Sequence, residues 1–318
     1  MSIPELVLVI NFPVFLGWGF KQLRIFREEE IGTIRKFVVK VSVPFIIFKN
    51  LYTANVQDIS QLLPASIAFV VITFFYAMTV FSLRKFISPD KKVSNSFCLA
   101  TFMGNYGYLG WGVLYHFYGD SGFTRAVFFT VFFWPVFLLS GLILISLIAG
   151  QKFDRTFFKT IGKALAGNAL IPIIVVITAL FMNYRGITIP LWLSSSIDSF
   201  AAITIPAILF SVGLSFSLFM NRKYLKAVFA GTVIRLGFGM IFGMIAVMFI
   251  SIFYDPDPIT KKVVLLESVM PSAAISPFFA DFIDSEKEVI SGILTFSTIT
   301  SLFTLPLWFT LIEKWSLF

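Results

Sequence analysis

Apolar residues fall in long runs divided by short polar stretches, and that pattern predicts ten membrane spans. A spanning helix needs about 20 mostly apolar residues. The runs are Ile3–Leu23, Phe37–Tyr52, Leu62–Leu83, Val93–Tyr118, Gly122–Ala149, Leu165–Tyr184, Leu191–Phe219, Leu225–Phe253, Ile259–Ile283 and Val289–Trp315. The second is short unless it begins near Ile31, which would put Arg35 and Lys36 in its first turns. No interruption is long enough for a soluble domain. The longest, Gln151–Ala164, sets Phe153, Phe157, Phe158 and Ile161 among Lys152, Arg155, Lys159 and Lys163, the pattern of an interfacial amphipathic helix. The expected fold class is an all-α polytopic membrane protein.

The fourth run is damaged as a helix. Gly104, Gly107, Gly110 and Gly112 lie near its middle, with Asn105 among them. Each glycine costs about 1 kcal/mol relative to alanine in a helix interior, so the helix is expected to open there. Close helix packing is the competing reading, since glycine also lets helices approach. Open backbone at membrane depth is tolerated only where protein or a water-filled cavity covers it, and paired interruptions mark transporter binding sites.

A second interruption appears through an internal repeat. Val41-Ser42-Val43-Pro44-Phe45-Ile46-Ile47-Phe48 in the second run and Ile203-Thr204-Ile205-Pro206-Ala207-Ile208-Leu209-Phe210 in the seventh share one pattern, 162 residues apart. The same offset carries runs 1, 3 and 5 onto runs 6, 8 and 10. It carries Gly104–Gly110 onto Leu266–Ser272, which holds Glu267 and Pro271, with Pro277 following. Proline breaks a helix interior by about 3 kcal/mol or more. Residues 1–150 and 151–318 thus form two five-helix units. With an odd number of spans in each, the second must be inverted, giving a five-plus-five inverted repeat with crossing helices in spans 4 and 9.

Charge then sets orientation. The loops carrying Lys21, Arg24 and Arg27, then Arg84, Lys85, Lys91 and Lys92, then Lys152–Lys163, then Arg222, Lys223 and Lys226, alternate with loops poor in Lys and Arg. Basic loops stay inside, so both termini are expected outside the cytoplasm of a cell (plasma or inner) membrane. Asp284-Ser-Glu-Lys-Glu288 is acidic where a basic loop is expected, but acidic residues weigh little in this rule. No basic region precedes the first run and no small-residue cleavage site follows it, so no signal peptide is expected.

Composition narrows the class. The chain has 318 residues, 58% hydrophobic and 13% charged, with mean hydropathy +0.90 and net charge +8. A soluble domain has about 25% charged residues. The basic excess lies in short loops, so nucleic acid is not an expected partner. Single residues Cys98 and His116 exclude an internal disulfide and a two-His metal motif. There is no Gly-x-x-x-x-Gly-Lys-Ser/Thr run for ATP, and no grouping of acids, bases or metal ligands for an enzyme. No cofactor is expected beyond a coupling Na+ or H+.

The chemistry is expected at the crossing. Each second half-helix begins at mid-depth, near Gly107–Gly110 and near Ser272, and helix N-termini favour anions. The first half-helices end near Met103–Asn105 and Val269–Met270, where free carbonyls favour a cation. Candidate substrate-binding residues are Gly104, Asn105, Gly107, Tyr108, Pro271, Ser272 and Ser276; Pro44 and Pro206 shape their helices beside the crossing. Candidate ion-coupling residues are Glu267, Arg235 and Asp198, charged groups within apolar runs. Glu267 and Arg235 as a structural ion pair, and Asp198 at the interface, are the competing readings. Lys40 and Lys49 are explained by snorkelling.

At Gly104-Asn105-Tyr106-Gly107-Tyr108-Leu109-Gly110, at Ile205-Pro206-Ala207-Ile208-Leu209-Phe210-Ser211-Val212-Gly213, and at Met270-Pro271 with Ser297-Thr298 and Thr304-Leu305-Pro306, the chain resembles the auxin efflux carrier family. In bacteria that family includes malate and malonate permeases, and its fold is similar to the bile acid–sodium symporters. The resemblance implies a scaffold domain and a crossing domain, elevator-like movement, and a homodimer. The plant members' long central loop is absent here, which favours a small organic anion over auxin. The expected function is secondary transport of such a carboxylate, coupled to a proton or a sodium ion. The alternatives are a non-transporting sensor on a carrier fold and a bile-acid-type sodium symporter.

Overall fold

A computed structural model describes residues 3–54, 59–130, 170–214, 216, 221–273, 276 and 284–315. Every regular element among them is helical. We number α1 Ile3–Gln22, α2 Glu28–Phe37, α3 Val43–Thr53, α4 Leu62–Ile87, α5 Lys91–Phe102, α6 Trp111–Thr130 (two helical pieces joined by a kink at Gly119), α7 Leu170–Tyr184, α8 Leu191–Leu214, α9 Leu225–Val233, α10 Gly239–Phe253, α11 Pro258–Ser268 and α12 Lys287–Lys314. π-helical turns lead into α3 (Val38–Ser42) and α6 (Tyr106–Gly110) and join α9 to α10 (Ile234–Phe238). Among the described residues, four stretches are long and apolar enough to cross a membrane: Leu62–Ile87, Leu191–Leu214, Arg222–Phe253 and Lys287–Lys314. The latter half of the fifth run, the amphipathic stretch Gln151–Ala164, and most of the ninth run beyond Ala273 lie outside the described residues.

The helices sort into two bundles by what they pack on. α1 lies along α8, and α3 packs on both α7 and α8. In the other bundle α4 packs on α5, α6 and α10, α11 on α6 and α10, and α12 on α5 and α9. The bundles meet where α6 and its leading turn lie on α8, α3 and α1. Ser42 and Thr204, matched by the 162-residue offset, touch inside the first bundle: the Thr204 hydroxyl donates to the Ser42 carbonyl at 3.0 Å.

α5 and α11 are the short helices of the second bundle, with 12 and 11 residues. At 1.5 Å rise per residue each spans roughly 17 Å, about half of a ~30 Å hydrocarbon core. Each begins on an aspartate cap. Asp90 accepts from the backbone N–H groups of Lys92 and Val93, at 2.8 and 3.3 Å, and Asp257 accepts from Thr260 N–H at 2.6 Å. Val93–Phe102 and Val263–Ser268 are buried on every face. α4, α6, α9, α10 and α12 enclose these two, burying polar Ser94, Asn95, Ser96, Thr101, Glu267 and Ser268 along with their apolar residues.

Candidate anion site at the crossing of two interrupted helices

α5 ends at Phe102 and α11 at Ser268, and the two chains then run extended and antiparallel past each other. Asn105 N–H donates to the Pro271 carbonyl and Ala273 N–H to the Met103 carbonyl, both at 2.8 Å. This two-bond bridge pairs Gly104 with Ser272 and satisfies backbone that would otherwise stand open in hydrocarbon. Pro271 has no N–H to lose here; its carbonyl is the group used. The Ser272 hydroxyl donates to the Ala100 carbonyl at 2.7 Å, and Ser272 N–H donates to Ser297 Oγ at 3.1 Å. Of the carbonyls expected to stand free near Met103–Asn105 and Val269–Met270, Met103 O is taken by the opposing segment, Asn105 O by Leu109 and Gly110 N–H, and Met270 O by Arg235. The opening also falls at the leading edge of the glycine run, and Gly107 and Gly110 lie within the following π-helical turn.

Arg235 fills the other open end. It comes from the π-helical turn between α9 and α10 and has no solvent exposure. Its Nε and Nη2 donate to the Met270 carbonyl at 2.9 and 2.6 Å, and its Nη1 donates to the Tyr106 hydroxyl at 3.3 Å. The guanidinium lies 4.0 Å from the Tyr76 ring centroid. The Tyr76 hydroxyl donates back to the Arg235 and Ser268 carbonyls at 3.0 and 2.7 Å. Desolvating a cation costs several kcal/mol. Charge-assisted hydrogen bonds of about 1.5–3 kcal/mol and a ring face worth ~2 kcal/mol when desolvated offset that cost.

Glu267 is also fully buried, one turn before Pro271. Its carboxyl lies against the backbone of Gly110: a Cβ added at Gly110 would stand 2.8 Å from Oε1. Glu267 and Arg235 form no direct ion pair, and neither carboxyl oxygen has a hydrogen-bond partner among the described residues. The side chain of Asn105 and the hydroxyl of Ser276 share that condition, both buried. An unpartnered buried polar group costs about 1–3 kcal/mol, and more if charged. Several such groups at one crossing make a place set up to receive a polar ligand.

The front of the site is Gly107. A Cβ there would meet only the Trp111 ring, at 3.7 Å, and the residue is half-buried. It heads the helix whose first-turn N–H groups have no upstream carbonyl to bond and carry the positive end of the helix dipole. One turn on, Gly112 faces the first bundle, where an added Cβ would stand 3.1 Å from Leu209 and 3.5 Å from Ile205, the neighbourhood of Pro206 in α8. Pro44 sits in the first turn of α3, after the π-helical turn. Tyr108 contributes backbone to the Tyr106–Gly110 turn; its side chain lies outside the described residues.

Asp198 is elsewhere. It pairs with Lys49 at 2.9 Å between α8 and α3, and both side chains are about half exposed. Lys49 therefore has an anionic partner as well as a snorkelling stem. Sequence reasoning missed Tyr76 and quoted Tyr106 and Ser297 only within family motifs, with no role at the crossing; an aromatic residue among 41 phenylalanines carries no contrast. Outside the apolar core, Asp257 also accepts both Nε and Nη2 of Arg125. Burial alone would raise the Asp257 carboxyl, but hydrogen bonds from Arg125 and Thr260 hold it below its ordinary value. Glu313 similarly joins Tyr118 at 3.0 Å and Lys262 at 2.7 Å, tying α6, α11 and α12.

A family model described as "Membrane transport protein" matches residues 2–309. A protein of Methanothermobacter thermautotrophicus described as an uncharacterized transporter is 26% identical over 309 residues, covering 97% of this chain and 98% of its own. One of Methanocaldococcus jannaschii with the same description is 27% identical over 323 residues, covering 96% and 97%. Proteins of this kind move solutes and are not, in general, enzymes. A helical chain with membrane-spanning segments, interrupted helices at its centre and a match from end to end belongs to the membrane transport protein family, the auxin efflux carrier type.

Proposed function

We propose that the chain is a secondary carrier of a small organic anion, a carboxylate of the malate or malonate kind, with the crossing as its binding site. The observation that carries this reading is the pair of extended segments at Gly104 and Ser272, flanked by buried Asn105, Glu267 and Arg235. The substrate carboxylate would meet the N-terminal end of the Tyr106–Gly110 turn, with Asn105 as adaptable donor and acceptor. Ten spans in a five-plus-five inverted repeat fit the two half-length helices and the Ser42–Thr204 contact. α5 and α11 end 166 residues apart, close to the 162-residue offset. In this reading the bundle holding α1, α3, α7 and α8 is the scaffold, and the other carries the site past it along the Gly112–Leu209 contact in an elevator-like movement. The carrier would act as a homodimer in the cell membrane, with both termini outside.

Uptake of an anion works against a negative-inside potential at about 2.3 kcal/mol per charge per 100 mV. A co-transported cation offsets this, and Glu267 is the carboxylate placed to take part. Purified protein in proteoliposomes should accumulate labelled malonate or malate under an imposed proton or sodium gradient. The Glu267→Gln variant should bind the anion but fail to accumulate it. Accumulation by Glu267→Gln equal to wild type would remove Glu267 from coupling.

A further inference from the structure

We propose that Arg235 is the resident cation of the crossing: its guanidinium holds the position at the end of α11 where an inorganic cation would bind, so sodium has no part in the cycle. This rests on the crossing being the carrier site. Resemblance to the sodium symporters implies an ion at the carbonyl end of an interrupted helix, where about half a negative charge accumulates. Among the described residues the following backbone carbonyls at that end are already engaged. Met270 O already accepts two N–H groups from Arg235, and Ser268 O accepts the Tyr76 hydroxyl. Leu266 and Glu267 carbonyls accept Val269 and Met270 N–H, and Met103 and Pro271 carbonyls are taken across the bridge.

The guanidinium also reaches the other broken segment. A Cβ added at Gly104 would overlap Arg235 Nη2 and the Tyr106 ring. One fixed charge therefore serves both interruptions, and glycine at 104 makes the room. Arginine keeps its proton in any protein environment, so this charge neither dissociates nor titrates. A sodium ion ~4 Å from it would meet a repulsion of about 4 kcal/mol at an effective dielectric of 20. The compensating negative group is Glu267, enclosed in the same crossing. The charged and titratable groups whose charge interacts with that carboxyl are Arg235 and Tyr106.

The test compares the full-length wild type in detergent in sodium chloride and in choline chloride at equal ionic strength. Its thermal midpoint should agree between the two within about 1 °C, since a ligand that binds only the folded state would raise it. Uptake of malonate into proteoliposomes should be unchanged when choline replaces sodium. In Arg235→Ala the midpoint should fall, then recover by several degrees in millimolar guanidinium or in sodium but not in choline. A wild-type midpoint raised by sodium, or uptake lowered about tenfold without it, overturns the assignment, as does an Arg235→Ala variant stabilised by neither cation. Should Arg235→Ala not fold, Arg235→Lys keeps the charge and should remain folded and insensitive to sodium; sodium stabilisation of Arg235→Lys counts against the proposal. A wild type that carries no carboxylate overturns the carrier reading instead, and the sodium comparison on the unloaded protein still decides the role of Arg235.

Discussion

Glu267 owes its place to a residue with no side chain. Its carboxyl lies on the backbone of Gly110, in space that any Cβ would enter. Gly110→Ala gains helix propensity of about 1 kcal/mol but drives the carboxyl away. The variant should therefore fold with near wild-type stability and lose gradient-driven uptake by about tenfold or more; a variant as active as wild type would show that the carboxyl's position does not matter. Gly107→Ala, which meets only Trp111, is the contrasting control for the clash. Arg235 and Glu267 were legible in the sequence because a charge in an apolar run is conspicuous. That they do not pair directly was not, because Met270 O, in the extended segment after α11, competes for the guanidinium. Asp198 was conspicuous for the same reason, and it pairs with Lys49 between α8 and α3.

Among the elements, the two half-helices are fixed at their outer and inner ends by different chemistry. α11 begins at Asp257, whose carboxyl holds Arg125 and caps the helix. Hydrogen bonding outweighs burial and favours its ionised form, holding its pKa below the ordinary carboxylate value. A carboxyl with a lowered folded-state value contributes stability above the unfolded value of about 3.9 and loses it as pH falls through the folded one. Thermal unfolding of the wild type should therefore be insensitive to this group near neutrality and weaken below about pH 4. Asp257→Asn should be less stable at pH 7 and show a shallower acid fall; an unchanged acid profile would mean that Asp257 is not the group responsible. Glycine and proline content predicted both interruptions. The opening near Met103–Asn105 was legible in the sequence, but what holds its backbone was not. It is held by hydrogen bonds to Pro271 and Ala273, far away in sequence.

For the whole molecule, spacing carried the architecture further than composition did. The 162-residue offset matches Ser42 with Thr204 in the sequence, and the hydrogen bond between them is a contact that the pattern alone did not foretell. What spacing could not supply is the division into two bundles, which depends on which helices pack on which. Orientation remains a statement about Lys and Arg in loops. Cysteines introduced in Arg84–Lys92 should label only from the cytoplasm, and those in Thr53–Gln61 only from outside; the reverse would invert the direction of both half-helix dipoles. The native Cys98 is fully buried, its thiol against the Val80 carbonyl at 3.4 Å, and should add little background.

The central claim is that an organic anion binds where the two interrupted helices cross. The most direct measurement is the thermal midpoint of purified protein titrated with malonate and malate, compared between wild type, Asn105→Ala and Pro271→Ala. The account predicts a dose-dependent rise in the wild type, because ligand binding to the folded state adds stability as RT ln(1 + [L]/Kd). It predicts folded variants in which that rise is lost or moved to at least about tenfold higher concentration. Wild-type responses in both variants would contradict it.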